Sequence, residues 1–252
     1  MSVAPFDTAL FNGKLSTSKT VGRRIDVYSE TPSTMTLADE RMKTEGAAAA
    51  HGSIILAETQ TGGIGRRGRP WLSPPLGNLY FSLLWAPAVQ IGGIGSTAAD
   101  VGGVPAFLPQ LSQLNLAASV AVVKAAYAVG VGETARIKWP NDVWAGAPLP
   151  RKMSGTILNF DGKEGAVLGV GINVLQDMGE NATAVSLETL RQGLPSEVSP
   201  PPPPVTREAV LAAFCAELEL RERERARRTP IALRRNDAPR RQHRPAGPAR
   251  EF

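Results

Sequence analysis

Residues 59–71 read TQTGGIGRRGRPW and follow 53–57, an apolar run with the length and β-branching of a buried strand. Gly63, Gly65 and Gly68 match the G-x-G-x-x-G pattern of dinucleotide-binding folds, but that interpretation needs a helix opening at the loop, and prolines follow instead. What remains is a glycine loop with three arginines. Its amides and guanidinium groups suit a small anionic ligand, with a solvated basic hairpin as the alternative.

Regular elements are predicted on both sides of this loop. Ser33 and Thr34 offer caps for a helix that stops before Gly46, and Gly130 closes an Ala- and Leu-rich helix at 111–129. The predicted helices cover 35–43, 111–129 and 206–228, and the predicted strands or apolar stretches cover 25–28, 53–57, 78–85, 135–139, 155–160 and 166–174, with a turn at 161–163 and an extended connector at 200–204. Such a mixture predicts an α/β (α+β) domain.

The predicted domain is residues 25–228, with an inserted loop at 86–110. Residues 1–24 show no clear period and are predicted to be a lead-in, with a short strand or disordered. Residues 229–252 are rich in Arg and Pro and poor in large apolar residues, which predicts a disordered tail. Residues 221–252 carry 11 Arg and four acidic residues, which gives them a net charge of +7. Since the whole chain carries +5, residues 1–220 have a net charge of −2.

Composition excludes several classes of function. The chain has 252 residues and one cysteine, Cys215, so it can form neither an internal disulfide nor a cysteine zinc site, and a reducing, cytoplasmic location is expected. His51 and His243 are its only histidines, which argues against a histidine metal site or a Ser-His-Asp triad. No apolar run reaches 18 residues, so no membrane span is predicted.

Three further segments carry candidate chemistry. Residues 138–142 (KWPND) place an amide and a carboxylate after a predicted strand, where they suit phosphate and Mg²⁺, although an ordinary turn explains them equally well. Residues 151–155 (RKMSG) bring a lysine to a strand start, and 169–174 (GVGINV) form a strand whose glycines permit close approach of a ligand. Taken singly, each is also compatible with a purely structural role.

The order of these segments is more specific than any one of them. Ser-Thr before a helix, then Gln60 with GRRGRPW, KWPND, RKMSG and GVGIN resembles the catalytic domain of biotin protein ligases over residues 27–220. The resemblance implies a mixed β-sheet flanked by helices, related to class II aminoacyl-tRNA synthetases. It also implies activation of biotin with ATP and Mg²⁺ to biotinyl-5′-adenylate, followed by transfer to a lysine of a biotin carboxyl carrier domain.

The resemblance also implies roles for individual residues. Arg66 and Lys152 would be catalytic, at the junction of carboxyl and phosphoryl groups. The biotin-binding set would be Ser33, Thr34, Met35, Gln60, Gly63, Ile64, Gly65, Arg66, Arg69 and Gly155. The ATP-binding set would be Trp71, Lys138, Asn141, Asp142, Lys152 and Asn173, with Asp142 also near Mg²⁺.

Departures from the family pattern leave alternatives open. Met35 and Ile64 replace polar residues, the short segment before Ile25 predicts no operator-DNA binding, and residues 229–252 stand in place of the usual small C-terminal domain. A lipoate or octanoate ligase of the related fold, a truncated inactive biotin-binding relic, and an anion- or nucleic-acid-binding module acting through the basic tail are the alternatives. The sequence does not identify the carboxylase or the oligomeric state.

Overall fold

Strands of one mixed sheet, with helices on both faces, form the part of the chain that the computed structural model describes: residues 4–15, 18–86, 108–160, 165–177, 179, 183–195, 200 and 202–228. The strands are β1 Ile25–Thr31, β2 Ile54–Gln60, β3 Leu79–Trp85, β4 Arg136–Lys138, β5 Asp142–Ala145, β6 Arg151–Phe160 and β7 Ala166–Ile172. The α-helices are α1 Thr8–Lys14, α2 Thr34–Glu45, α3 Ala47–Ala50, α4 Leu108–Ala128, α5 Leu187–Gln192 and α6 Arg207–Arg228. The predicted α/β (α+β) class with a mixed sheet is confirmed.

The strand order is β1-β2-β3-β7-β6-β5-β4. Among the described strands, β1 and β2 pair in parallel, with α2 and α3 as the crossover between them. Every other pair of these strands is antiparallel. The register places Tyr80 opposite Gly171, Gly171 opposite Gly155, and Gly155 opposite Asp142. Residues directly opposite each other point to the same face of the sheet. One row across four strands therefore carries two glycines between a tyrosine and a carboxylate.

The two faces of the sheet are covered differently. Leu79, Phe81, Leu83 and Trp85 of β3 pack into the large core shared with α1, α4 and α6, as their predicted alternation requires. Leu84 faces the smaller core built with α2 and α3. Because α2 packs mainly against β2, β3 and β7, and α3 against β3, the ends of β6 and β7 on their face are left for a pocket.

Local sequence signals account well for α2. Ser33 is its N-cap, and the Ser33 hydroxyl accepts a hydrogen bond from the Met35 amide at 3.3 Å. Gly46 ends the helix with a φ of 83°, which a residue with a side chain rarely adopts. Helix α4 begins at Leu108, so residues 108–110 belong to it and not to the predicted inserted loop.

The amino-terminal segment differs from the predicted lead-in. Residues 8–14 form α1, in which Asp7 caps the helix through the Leu10 amide at 2.9 Å and Phe11 is buried. A seven-residue helix with one buried position has no period to detect, which is why the pattern missed it. Strand β5 and helix α5 were also not predicted. Residues 229–252, the turn at 161–163 and residues 87–107 of the inserted loop lie outside the described residues, whereas Ala86 is buried in the smaller core.

Candidate functional site

A pocket opens on the face of the sheet that carries α2, beside the first turn of that helix and over β6 and β7. The structure brings eleven of the sixteen predicted site residues to its lining. These are Ser33, Thr34, Met35, Gln60, Ile64, Gly65, Arg66, Trp71, Asn141, Lys152 and Gly155. Four separate segments of the sequence therefore meet at one place.

One end of the pocket is an ordered hydrogen-bond network around Gln60. The side-chain oxygen of Gln60 accepts from the Thr34 amide at 2.9 Å and from the Thr34 hydroxyl at 3.2 Å, and its nitrogen donates to Ser73 Oγ at 3.0 Å. The Thr34 hydroxyl also lies 2.9 Å from Ser82 Oγ on β3. With both ends engaged, the Gln60 amide is held in one orientation. This end presents fixed polar groups to a neutral, hydrogen-bonding ligand.

Backbone hydrogen bonds within the glycine loop connect its two sides. The Gly65 amide donates to Arg69 O at 2.7 Å and the Trp71 amide donates to Gly63 O at 2.8 Å. A Cβ on Gly63 would lie 2.6 Å from Trp71 O and 3.1 Å from Gln60 Nε2, so no larger residue fits there. Gly63 and Arg69 do not line the pocket themselves; they shape the loop that carries Arg66 into it.

Two glycines make room for the indole of Trp71. A Cβ on Gly171 would overlap the indole ring, and one on Gly155 would lie 3.0 Å from Trp71 Cζ3. These are the glycines that face each other across β6 and β7. The indole Nε1 is buried and has no hydrogen-bond partner among the described residues. The pocket wall therefore carries a flat aromatic surface whose buried indole nitrogen lies over Gly171.

Positive charge gathers at the opposite end from Gln60. Lys152 Nζ lies 3.0 Å from Asp142 Oδ1 and 4.9 Å from the centre of the Trp71 ring. Arg66 Nη1 donates to Asn141 Oδ1 at 2.7 Å, which ties the loop to the hairpin of β4 and β5. Both cations remain partly exposed, so they can reach an anionic ligand. This end suits a phosphate or a carboxylate.

Asp142 lies at the start of β5, behind Lys152, and not in the lining of the pocket. Its contacts to Lys152 Nζ and to Asn141 Nδ2, the latter at 3.2 Å, both fall on Oδ1, which leaves Oδ2 for an ion. No cluster of three His, Cys, Asp or Glu occurs among the described residues. One carboxylate fits Mg²⁺ that arrives with a nucleotide, since this ion commonly uses one or two carboxylates plus phosphate oxygens.

Two predicted nucleotide-binding residues lie outside the lining as well. Lys138 Nζ sits 3.7 Å from the centre of the Trp144 ring on the neighbouring strand. Asn173 is buried, and its side chain donates to Lys152 O at 3.2 Å and to Val185 O at 3.4 Å. Asn173 therefore supports the backbone that carries Lys152, which is a role that the sequence did not reveal.

Seven lining residues were not among the predicted site residues. Tyr80 is buried, its hydroxyl donates to Pro74 O at 3.3 Å, and burial raises its pKa to about 12. Since the alternation in 78–85 pointed to the apolar face, the signal for Tyr80 on the other face was present but unused. The other lining residues that were missed are Phe81, Thr156, Ile157, Gly169, Val170 and Gly171. Gly169 and Gly171 had been singled out only as points of close approach.

Within the described residues, none of the helices combines the length and the apolar character that crossing a bilayer demands.

Comparison with known proteins gives consistent results. The chain is 33% identical over 131 residues to the bifunctional ligase/repressor BirA of Salmonella typhimurium, covering 49% of this chain and 33% of that protein. It is 32% identical over 175 residues to the biotin–[acetyl-CoA-carboxylase] ligase of Mycobacterium tuberculosis, covering 68% of this chain and 57% of that protein. The chain thus spans between a third and somewhat over half of these relatives.

A solved structure supports the same assignment. The biotin protein ligase from Aquifex aeolicus, in complex with biotin and ATP, superposes with a TM-score of 0.57 at 25% identity, covering 82% of this chain and 73% of that one. The family model for the biotin/lipoate A/B protein ligases matches residues 27–177, which contain the pocket and all the motifs that line it. The chain therefore belongs to the biotin/lipoate A/B protein ligase family.

Proposed function

We propose that the chain is a biotin protein ligase. It activates the carboxylate of biotin with MgATP to biotinyl-5′-adenylate and then transfers biotin to a lysine of a biotin carboxyl carrier domain. The observation that carries this proposal is a single pocket with a neutral hydrogen-bonding end, at Thr34 and Gln60, and a cationic end, at Arg66 and Lys152. Biotin has the matching halves, a polar ureido ring and a carboxylate.

The neutral end would bind the rings of biotin. Ser33, Thr34 and Gln60 would face the ureido group, because the fixed Gln60 amide presents directional partners to it. The apolar side chains of Met35 and Ile64 and the backbone of Gly155 would line the path toward the carboxylate. At positions 35 and 64, where many family members carry polar residues, this chain would contact biotin through van der Waals interactions instead.

The cationic end would carry out the first step. A carboxylate oxygen of biotin attacks the α-phosphorus of ATP, the new C–O–P bridge forms, and the bond to the β-phosphate oxygen breaks to release pyrophosphate. Both reactants are anions, so the barrier falls when positive charge is fixed where negative charge develops. Arg66 and Lys152 supply that charge without proton transfer, and Asp142 restrains Lys152 at 3.0 Å. No side-chain nucleophile is required.

The nucleotide would lie beyond the reacting atoms. Trp71 would pack against adenine, Asn141 and Lys138 would lie near the triphosphate, and Asn173 would act on the nucleotide side through the Lys152 backbone. When Mg²⁺ is bound with ATP it neutralises phosphate charge, and Asp142 is the residue that would hold it.

The second step needs the adenylate to survive until the carrier arrives. Closure of the loop at Gly63, Gly65 and Arg69 over the mixed anhydride would keep water away from it. The carrier lysine amine then attacks the acyl carbon, AMP leaves as the anhydride bond breaks, and the amine gives up a proton. The product is an amide.

Partners and location follow from this reaction. The partner would be the biotin carboxyl carrier domain of a biotin-dependent carboxylase, in line with the acetyl-CoA-carboxylase ligase named among the relatives. A cytoplasmic location accords with the single cysteine. From the relative named as a ligase and repressor, only the ligase activity is carried over.

The experiment is a search by mass spectrometry for biotinyl-5′-adenylate after the chain is mixed with biotin and MgATP, beside a lipoate sample and a sample without biotin. A biotin-dependent adenylate peak supports the proposal. A lipoate-dependent peak without a biotin-dependent one assigns the chain to the lipoate branch. No peak, with biotin binding still detected by calorimetry, identifies an inactive biotin-binding relic.

A further inference from the structure

Asn115 is a polar residue beside the buried stripe of α4. Leu114, Ala118, Ala121 and Val122 of the same helix are buried in the core. Asparagine is a poor residue for a helix interior because its side chain competes for backbone hydrogen bonds, and a partly buried amide is costly unless it is paired. A residue of this type at this place needs a specific partner.

Asn115 has two such partners, one for each end of its amide. Its nitrogen donates to Pro140 O at 3.0 Å, and its oxygen accepts from the Thr156 hydroxyl at 2.7 Å. Pro140 lies in the turn between β4 and β5, and Thr156 is a buried residue of β6. Asn115 thereby connects α4 to two neighbouring parts of the sheet at once.

Thr156 continues the network to Asn141. The Thr156 amide donates to Asn141 O at 2.8 Å, and Asn141 Nδ2 donates to Thr156 O at 2.9 Å. The remaining side-chain oxygen of Asn141 accepts from Arg66, and the next residue, Asp142, holds Lys152. An unbroken series of contacts therefore runs from α4, through the sheet, to the cationic end of the pocket on the opposite face.

We propose that Asn115 is a positioning residue for the nucleotide end of the site. It touches no substrate, and it acts by holding the turn at residues 140–142 so that Asn141 and Asp142 keep Arg66 and Lys152 in place. The functional part of this inference rests on the proposed ligase activity. The biotin end depends on Thr34 and Gln60, which Asn115 does not contact.

The first test is kinetic. In Asn115→Ala and in Asn115→Leu, which keeps the branching and the number of side-chain heavy atoms but removes the polar groups, we expect the rate of biotinyl-5′-adenylate formation to fall about 10- to 100-fold, as for other residues that place reacting groups indirectly. The dissociation constant for biotin alone, measured by calorimetry, should stay unchanged. Gln113→Ala changes an exposed residue of the same helix and should match the wild type in both. A loss of biotin affinity equal to the loss of rate would mean general damage to the fold and would overturn the proposal.

A matched pair at Thr156 tests the hydroxyl link. Thr156→Ser keeps the hydroxyl and should retain most of the rate, whereas Thr156→Val keeps the shape and should lose it. Because the two residues act through one network, the double variant of Asn115→Ala and Thr156→Val should be no worse than the poorer single variant. Equal behaviour of the serine and valine variants would contradict the proposal.

A measurement that does not depend on activity completes the test. Amide hydrogen exchange of peptides covering residues 139–145 and 155–157 should be faster in Asn115→Ala than in the wild type and in Gln113→Ala. Unchanged exchange overturns the inference whether or not the chain makes the adenylate. If exchange rises and the wild type makes no adenylate, the ligase proposal fails while the role of Asn115 in holding the turn stands. If exchange rises and an active enzyme keeps its full rate, the positioning role is wrong.

Discussion

Arg66 and Asn141, 75 residues apart in sequence, are joined by a hydrogen bond of 2.7 Å from Nη1 to Oδ1. This bond anchors the exposed glycine loop to the hairpin of β4 and β5. A phosphate or carboxylate in the pocket would compete with Asn141 for the same guanidinium. The loop and the hairpin should therefore respond to a ligand together.

Arg66→Gly should weaken retention of the adenylate. Loss of one charged hydrogen-bond donor costs about 1.5–3 kcal/mol, or roughly 10- to 100-fold in the release rate of the intermediate. Rapid filtration of enzyme-bound radiolabelled adenylate measures that rate. Arg67→Gly is the matched control, because Arg67 is exposed and its φ of 60° suits glycine. Equal release from both variants would remove Arg66 from the site.

Lys152→Ala should nearly abolish adenylate formation. Removing the cation at the developing charge costs about 2.7–4 kcal/mol, or roughly 10²–10³ in rate. Pyrophosphate release under single-turnover conditions is the measurement. Lys124→Ala, at an exposed position of α4, controls for the change in net charge. A Lys152→Ala enzyme with the rate of this control would mean that the catalytic assignment is wrong.

Gly171→Ala should displace the Trp71 indole, because the added Cβ overlaps the ring. We expect a higher KM for ATP and a loss of about 1–3 kcal/mol in the free energy of unfolding, as for other overpacked sites. Steady-state kinetics and urea denaturation measure the two effects. Gly13→Ala is the control, since a Cβ there meets nothing within 4 Å, and in a helix it should gain about 0.5–1 kcal/mol. Unchanged kinetics in Gly171→Ala would show that the indole position does not matter for ATP.

The buried ion pair of Glu58 and Arg207 should be sensitive to the loss of either partner. Arg207 is 2% exposed, so Arg207→Met leaves the Glu58 carboxylate uncompensated and should lower the free energy of unfolding by about 3–5 kcal/mol. Changing both residues to Met should restore part of that loss. Glu45→Ala, which breaks the exposed pair with Arg24, should change the free energy of unfolding far less in the same urea titration. A double variant less stable than Arg207→Met alone would contradict this account.

Glu219 should make the stability of the folded protein fall as the pH is lowered in the acid range. Burial alone would raise the pKa of this carboxyl, but hydrogen bonds from the Ser18 hydroxyl and from the amides of residues 19–21 outweigh it and lower the pKa to about 2. Its contribution is present above the ordinary pKa of about 4.5 and is lost as the pH falls toward 2. Glu219→Gln should therefore lose stability at pH 7 and show a flatter dependence below pH 4.5. Parallel pH profiles of Tm for the variant and the wild type would refute the assignment.

Elements whose signals lie within their own segment were predictable from the sequence, whereas elements stabilised by residues distant in sequence were not. Helix α2 was predictable because Ser33 and Gly46 carry its start and stop within the segment itself. Strand β5 was not, since a four-residue strand after Pro140 is stabilised by pairing with β6 and has no strong pattern of its own. The motifs of the site could be recognised in the sequence. The hydrogen bond between Asn115 and Thr156, however, joins a helix to a strand across 41 residues of sequence. No spacing rule signals such a contact.

The hydrogen bonds that hold the amino-terminal segment affect how the protein should be expressed and purified. Phe6 N donates to Glu58, Arg207 donates to Ala4 O, and Asp7 N donates to Glu208 at 3.0 Å, so residues 4–7 are held against β2 and α6. A truncation designed to the family match, which starts at residue 27, would strip partners from a buried arginine and a buried glutamate. Expression plasmids should therefore keep the residues from Ala4 onward, and a purification tag placed ahead of them needs a flexible spacer.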